Sequence, residues 1–465
     1  MPPTWFDRLA TLTELLRDRT LRLAVTGLSG SGKTAFITSV VHNLLSAVRH
    51  PVGLPFFRAA AERRLLAVGL EAPRGEIVAP FPVREAIAAL AADPPHWPAS
   101  TTDLRQADLL LHFTPAGFLG RAAGGTTELR LEILDYPGEW LLDLPLLGQT
   151  YREWSRTTLE RARSGGRAAL ARDWLDFLAR HPADNAVDLG AAHQAHRLYR
   201  SFLSACRTGE QLSLLQPGRF LNPGQLADQS LLWFCPMPLA IGANAREGSM
   251  AALMEERFET YKQVVVQPFF TQLARGVDRQ IVLVDVLRTL NAGPAAFADQ
   301  RLALETVLAA FRLGRRSILR FLFGARIDRV LFAATKADHV PALQRDHLEA
   351  LMGNLVEVPT MRAKAAHARV AATALASIRC TEDGTDVIDG HKVDVVIGLP
   401  EGGERRIRFF PGIVPVTPPP EGFWGERFTE FPVFQPPRIE PAAGNGIPHI
   451  NLDKALDFLL GDILA

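Results

Sequence analysis

Leu21-Arg22-Leu23-Ala24-Val25 reads as a short apolar strand, and beyond a Gly/Ser-rich break Phe36, Ile37, Val40, Val41, Leu44 and Leu45 recur at three-to-four spacing, the pattern of a helix with one buried face. Asp108 to Phe113 predicts a strand, and Leu129, Leu131 and Ile133 alternate with Arg130 and Glu132 in another that ends at Asp135; the two are expected to pair as a hairpin. From Trp140 to about Ala274 the period turns helical, with long stretches at Tyr151 to Arg163, Arg167 to Arg180 and Ala191 to Arg207. Gln280 to Asp285 and Arg329 to Ala334 are apolar runs suited to central parallel strands. Helical patterns over Ala298 to Phe321 and Ala342 to Leu355 and a strand over Ala368 to Ala372 complete a strand-and-helix alternation that implies a parallel sheet. After Thr381 hairpin signals appear at Asp389-Gly390 and Gly402-Gly403, then a proline-rich extended stretch, then an amphipathic helix over Leu452 to Leu460.

With 465 residues the chain can bury a large core and carry insertions. The 51 Lys and Arg balance 50 Asp and Glu, so net charge offers no reason to expect nucleic acid or an anionic membrane as the main partner. Cys206, Cys235 and Cys380 are scattered, without metal-type spacing, which predicts buried unpaired thiols in a reducing compartment. Trp5, Phe6, Leu9, Leu12 and Leu16 predict an amphipathic N-terminal helix over residues 1–20, without the apolar stretch of a secretory signal, that packs on the domain. No run approaches the roughly 20 apolar residues of a membrane span, so a cytoplasmic location is expected.

The break after the first strand carries chemistry. Gly27-Leu28-Ser29-Gly30-Ser31-Gly32-Lys33-Thr34 is a complete phosphate-binding loop between strand and helix. Ser29, Gly30, Ser31 and Gly32 can turn backbone N–H groups around phosphate oxygens, Lys33 can reach the β and γ phosphates, and Thr34 can ligate Mg²⁺. At the hairpin's end, Asp135-Tyr136-Pro137-Gly138 has the Asp-x-x-Gly form in which the carboxylate holds Mg²⁺ through water and the glycine N–H contacts the γ-phosphate. Glu139 follows where many GTPases carry a water-orienting Gln, and it stands as a catalytic candidate beside Lys33. Thr101 is the candidate switch threonine completing the metal shell. Thr335-Lys336-Ala337-Asp338 resembles a guanine-recognition motif, Asp338 accepting from the base and Lys336 lying along it. Thr373-Ala374-Leu375 resembles the short loop that offers guanine O6 a backbone N–H, with Ala374 as the donor.

These motifs, together with Trp97-Pro98-Ala99-Ser100-Thr101, the run from Glu139 to Pro145, Asp285-Val286-Leu287-Arg288-Thr289-Leu290-Asn291 and the segment Leu456 to Asp462, resemble the bacterial YcjX family of stress-associated Ras-like GTP-binding proteins. The resemblance implies a Ras-like P-loop NTPase fold, GTP or GDP with Mg²⁺, a role in envelope stress and an inner-membrane companion beside an unknown effector. The expected organisation is a Ras-like domain over 21–139 and 276–382, a helical insertion over 140–275, a β appendage with proline-rich segment over 383–450, and a C-terminal helix over 451–465 packing on the nucleotide domain. Three functions stay open on the residues: a GTP-dependent conformational switch, an ATP-dependent small-molecule kinase, and a scaffold that nucleotide merely stabilises.

Overall fold

β1 (Arg19–Gly27) leads through the glycine-rich turn into α1 (Lys33–Ala47), and the edge strand β2 (Leu65–Glu71), the short β3 (Ala79–Pro80) and α2 (Val83–Ala91) follow. The computed structural model describes residues 19–28, 30–73, 78–100, 103–116, 125–226, 229–239, 245–274, 277–310, 327–357, 360–361, 368–424, 431–441 and 444–465. The expected N-terminal helix therefore falls almost wholly outside the described residues. β4 (Arg105–Phe113) and β5 (Thr127–Asp135) form the expected hairpin, with Arg105 opposite Asp135. A 3₁₀ stretch over Gly138–Gly148 and helices α3 (Tyr151–Ala162), α4 (Arg172–Arg180), α5 (Leu189–Thr208), α6 (Met250–Tyr261) and α7 (Gln267–Ala274) come next. β6 (Arg279–Val284), α8 (Val286–Ala292), α9 (Pro294–Ala310), β7 (Arg329–Ala334), α10 (Arg345–Leu355) and β8 (Arg369–Ala374) continue the alternation. β9 (Thr381–Ile388), β10 (His391–Gly398), β11 (Ile407–Phe409) and α11 (Leu452–Leu460) close the chain.

The contacts divide the chain into two units, Met1–Pro137 with Val277–Asn291 and Arg326–Ala465, and Gly138–Gly276 with Ala292–Ala325. In the first unit an eight-stranded sheet runs β2-β4-β5-β1-β6-β7-β8, with β3 beside β4. β5, β1, β6, β7 and β8 are mutually parallel, while β4 runs antiparallel to β5 and β2 antiparallel to β4. This is the mainly parallel α/β sheet that the alternation implies. Phe36, Ile37, Val40, Val41 and Leu44 of α1 are fully buried in a core that also takes in Leu23, Val25, Leu131 and Ile133 of the sheet and Leu456, Leu459 and Leu460 of α11. Each such side chain contributes about 1.5–3 kcal/mol over an exposed one. At the amino edge of the sheet the Arg279 guanidinium, 3% exposed, meets Asp328 and Asp462 at 3.0 Å each, and Arg329 joins Asp462 at 2.9 Å. A second, three-stranded antiparallel sheet β11-β10-β9 is the β appendage, its β9–β10 turn made by Asp389 and Gly390, both at positive φ.

The second unit is held by stacked aromatic rings, Trp154 on Phe258 at 4.9 Å and Trp174 on Phe202 at 5.5 Å. Of the helix expected over Ala298 to Phe321, the structure describes Pro294–Ala310, the rest lying outside the described residues, and this part falls in the second unit. Asp299 fixes it there, accepting from the Ser213 and Leu214 amides at 2.6 and 2.7 Å and from Arg167 Nη2 at 2.6 Å. Periodicity reveals that a helix has a buried face; it does not say which unit covers that face.

Candidate functional site

The loop after β1 adopts a conformation that only its glycines permit. Gly30 and Gly32 sit at φ 78° and 86°, in the left-handed region. Gly27 is required for another reason: a Cβ there would stand 2.5 Å from the Leu283 carbonyl on β6. A Cβ at Gly32 would meet nothing within 4 Å among the described residues, so open space adjoins the turn at the start of α1. Lys33 Nζ folds back to donate to Gly27 O at 2.5 Å. The Ser31 hydroxyl is buried and, among the described residues, has no partner. An unsatisfied buried hydroxyl beside a curled lysine and open glycine backbone fits a polyanion. Thr34 occupies the first turn of α1. Ser29 lies outside the described residues.

Parallel pairing puts Asp135 opposite Val25, so the carboxylate that ends β5 and the loop that ends β1 share the carboxyl edge of the sheet. Asp135 is fully buried. Tyr136, also buried, has its phenol pushed above its ordinary range by desolvation. The Thr34 hydroxyl and the Asp135 carboxylate are hard oxygen donors of the kind Mg²⁺ takes when phosphate and water complete its shell. The donor set fits that ion. Thr101 lies outside the described residues. Gly138 and Glu139 open the second unit, where Glu139 is buried.

Thr335 begins the loop after β7 and Asp338 lies within the 3₁₀ turn Ala337–His339. Lys336 takes the left-handed conformation at φ 60° and its ammonium stands 2.6 Å from Asp285, the residue that follows β6. Asp338 is buried, and its Oδ2 accepts the Cys380 N–H at 2.9 Å. That bond orients the carboxylate while leaving acceptor capacity, since each oxygen has two lone pairs. Burial pushes the adjacent Cys380 thiol up and the His339 imidazole down, so both are neutral neighbours of Asp338.

Thr373, Ala374 and Leu375 follow on β8, with Ala337 N donating to Leu375 O at 3.1 Å. The Ala374 N–H donates to Glu349 Oε2 at 3.3 Å, and the Leu375 N–H to Ala334 O at 2.8 Å. A carboxylate on α10, remote in sequence, occupies a donor that the short motif offers to a ligand. Two further bonds stitch this loop to the phosphate-loop helix and to the C-terminal segment: Ser39 Oγ donates to Ser377 O at 2.5 Å and Asn451 Nδ2 to Ala374 O at 2.8 Å.

The structure thus brings together Gly30 to Thr34, Asp135, Thr335, Lys336, Asp338 and the Thr373–Leu375 loop along one sheet edge. It also adds Asp285, which the motif reading did not assign a role. Asp285 Oδ1 accepts the Arg288 amide at 3.1 Å at the start of α8, and its carboxylate pairs with Lys336. The available signal was an acid just after the apolar run Ile281–Val284, at the carboxyl end of a strand, the place where open α/β sheets gather ligand-facing residues.

A mainly parallel sheet with a glycine-rich phosphate loop between β1 and α1, and acidic residues closing the neighbouring strands, defines a Ras-like P-loop NTPase fold. The comparisons with known proteins narrow the class. Residues 21–464 match the YcjX-like family, DUF463, and the chain belongs to that family. It is 38% identical to Ras-like GTPase YcjX of Escherichia coli (strain K12) over 459 residues, 96% of each chain. It is 37% identical to Ras-like GTPase YcjX of Shewanella oneidensis (strain MR-1) over 470 residues, covering 96% of this chain and 95% of the other.

Proposed function

We propose that this protein binds and hydrolyses GTP with Mg²⁺ and uses the GTP and GDP states as a conformational switch. The observation that carries the reading is the convergence of two motifs some three hundred residues apart in the chain. The phosphate loop and Thr335-Lys336-Ala337-Asp338 end parallel strands of one sheet on the same edge, and Ser39 of the loop's own helix bonds the segment that follows β8. The names of the two relatives agree with it.

In this reading the loop amides from Gly30 to Lys33 and the Lys33 ammonium hold the triphosphate, the lysine exchanging the Gly27 carbonyl for phosphate oxygen. Thr34 and Asp135 would hold the metal, which would neutralise negative charge on the phosphate tail. Asp338 accepts from the guanine N1–H and N2 amine; adenine lacks that pair and leaves a buried carboxylate unsatisfied, at about 1–3 kcal/mol. The backbone from Asp135 runs directly into Gly138, the first residue of the second unit, so a change at the metal-side carboxylate is passed along the chain. Such a switch requires the two nucleotides to differ in affinity for the two conformers. Glu139 remains the candidate for orienting the attacking water.

Competition of GTP and ATP against a fluorescent guanine nucleotide, with and without Mg²⁺, tests the reading. The wild type is expected to prefer GTP, and Asp338→Asn to lose about tenfold or more of that preference. Displacement by ATP as readily as by GTP, unchanged in the variant, overturns guanine recognition and favours a kinase. GTP bound and never turned over in a single-turnover assay leaves a scaffold.

A further inference from the structure

A side chain outside the three motifs reaches the phosphate loop. Arg288 lies on α8, the short helix that follows β6, and a Cβ built on Gly30 would come 3.0 Å from its Nη1. The guanidinium therefore lies beside the loop at Gly30, a residue whose amide the phosphate tail would approach. Its placement is fixed from below. The Asp285 carboxylate caps the turn by accepting the Arg288 amide at 3.1 Å, and Lys336 of the loop after β7 holds the same carboxylate at 2.6 Å. β6 itself is set against β1, with Leu283 opposite Gly27, so α8 starts from the strand adjoining the loop. Strand, cap and ion pair belong to one unit, and the arginine is half-buried, not a free surface side chain.

We propose that Arg288 is an arginine supplied by the chain itself to the phosphate tail of the bound nucleotide, and that it stabilises the charge released when the terminal phosphate leaves. When water attacks the γ-phosphorus, the bond from that phosphorus to the β–γ bridging oxygen breaks. Its electron pair passes to the β-phosphate oxygen of GDP, and the water proton ends on inorganic phosphate. Negative charge grows on the bridging and β oxygens during this step. A guanidinium, always charged and with a fixed fork of donors, placed beside the loop that cradles those oxygens stabilises the transition state more than the ground state. Asp285 and Lys336 are then positioning residues. They make the orientation of Arg288 depend on the loop that reads the base, so the correct base and the phosphate contact are set by one carboxylate.

The proposal rests on the GTP reading above, and the test separates the two. Arg288→Ala, Arg288→Lys and wild type are compared in single-turnover GTP hydrolysis at saturating nucleotide, in GDP affinity by calorimetry, and in retention of GDP with aluminium fluoride, which mimics the transferring phosphate. Arg288→Ala is expected to slow hydrolysis by at least about tenfold and up to about 10³-fold, in keeping with removal of one charged transition-state donor. GDP affinity is expected to stay within about threefold, and fluoroaluminate trapping to be lost. Arg288→Lys, which keeps the charge and not the fork, should recover part of the rate. A fall in GDP affinity as large as the fall in rate, with trapping intact, assigns Arg288 a structural role and overturns the proposal. Wild-type rates and trapping in Arg288→Ala overturn it while leaving GTP binding in place. A wild type that takes up no guanine nucleotide overturns both.

Discussion

At the residue scale, two buried ionisable groups in the second unit give the protein opposite responses to acid. The Asp143 carboxyl accepts from the Gly218 amide at 2.7 Å and from the Tyr261 hydroxyl at 2.6 Å, yet burial outweighs these bonds and pushes it up to about 6. A carboxyl raised above its ordinary value of 3.8 binds its proton more tightly when folded, so its contribution is fully present below that value and lost as pH rises through about 6. His196 is the reverse case. Burial lowers it from 6.5 to about 4, so its contribution is present above 6.5 and lost as pH falls through about 4. Each amounts to about 3 kcal/mol at most, and between about pH 4 and 6 they oppose one another. Asp143→Asn is expected to lose stability on acidification more steeply than wild type, and His196→Gln to gain it. Urea midpoints followed from pH 4 to 6.5 read the slopes, and parallel curves for all three proteins would refute the assignment.

At the element scale, the 3₁₀ stretch Gly138–Gly148 is shaped by packing that no local pattern announces. A Cβ on Gly218 would stand 1.9 Å from the Glu139 carbonyl oxygen, so Gly218 is needed for close approach. The Arg219 guanidinium lies 3.1 Å from the centre of the Trp140 ring, and both Gly218 and Arg219 amides point at Asp143. Gly218→Ala forces one backbone away from the other. The expected cost is about 1–3 kcal/mol, read as a lower denaturation midpoint of the second unit; a midpoint equal to wild type would show that the approach is not constrained. The same scale shows why elements differ in legibility. α1 and α11 were legible because a full apolar stripe faces one core. β2 was not: at this sheet edge Leu66, Ala67, Gly69 and Leu70 are exposed, and its membership is decided by pairing with β4, not by alternation.

At the scale of the whole molecule, the sheet has two differently furnished edges. Arg279, Arg329, Asp328 and Asp462 close the amino edge with ion pairs, whereas loops bearing glycine, lysine and acids line the carboxyl edge. No described helix is long and apolar enough to cross a membrane, and Cys206 and Cys235 are buried unpaired thiols pushed up to about 12 by desolvation. If the carboxyl edge holds nucleotide, ligand stabilises the folded protein by mass action, about 2.7 kcal/mol at a hundredfold excess over Kd. GTP with Mg²⁺ is expected to raise the thermal midpoint of the wild type and to leave Lys33→Ala unmoved. An equal shift in both proteins would remove Lys33 from the site. The amino-acid sequence alone determined the alternation of strand and helix, the phosphate loop and the strand-end acids, because glycine content, residue charge and apolar period act over a few neighbouring positions. Only the tertiary structure decided that α9 belongs to the second unit, that Glu349 occupies the Ala374 amide, and that Asp285 joins Lys336 to the turn carrying Arg288. Those facts depend on which distant segments share space, and short-range pattern carries no record of the partner that covers a face or takes a hydrogen bond.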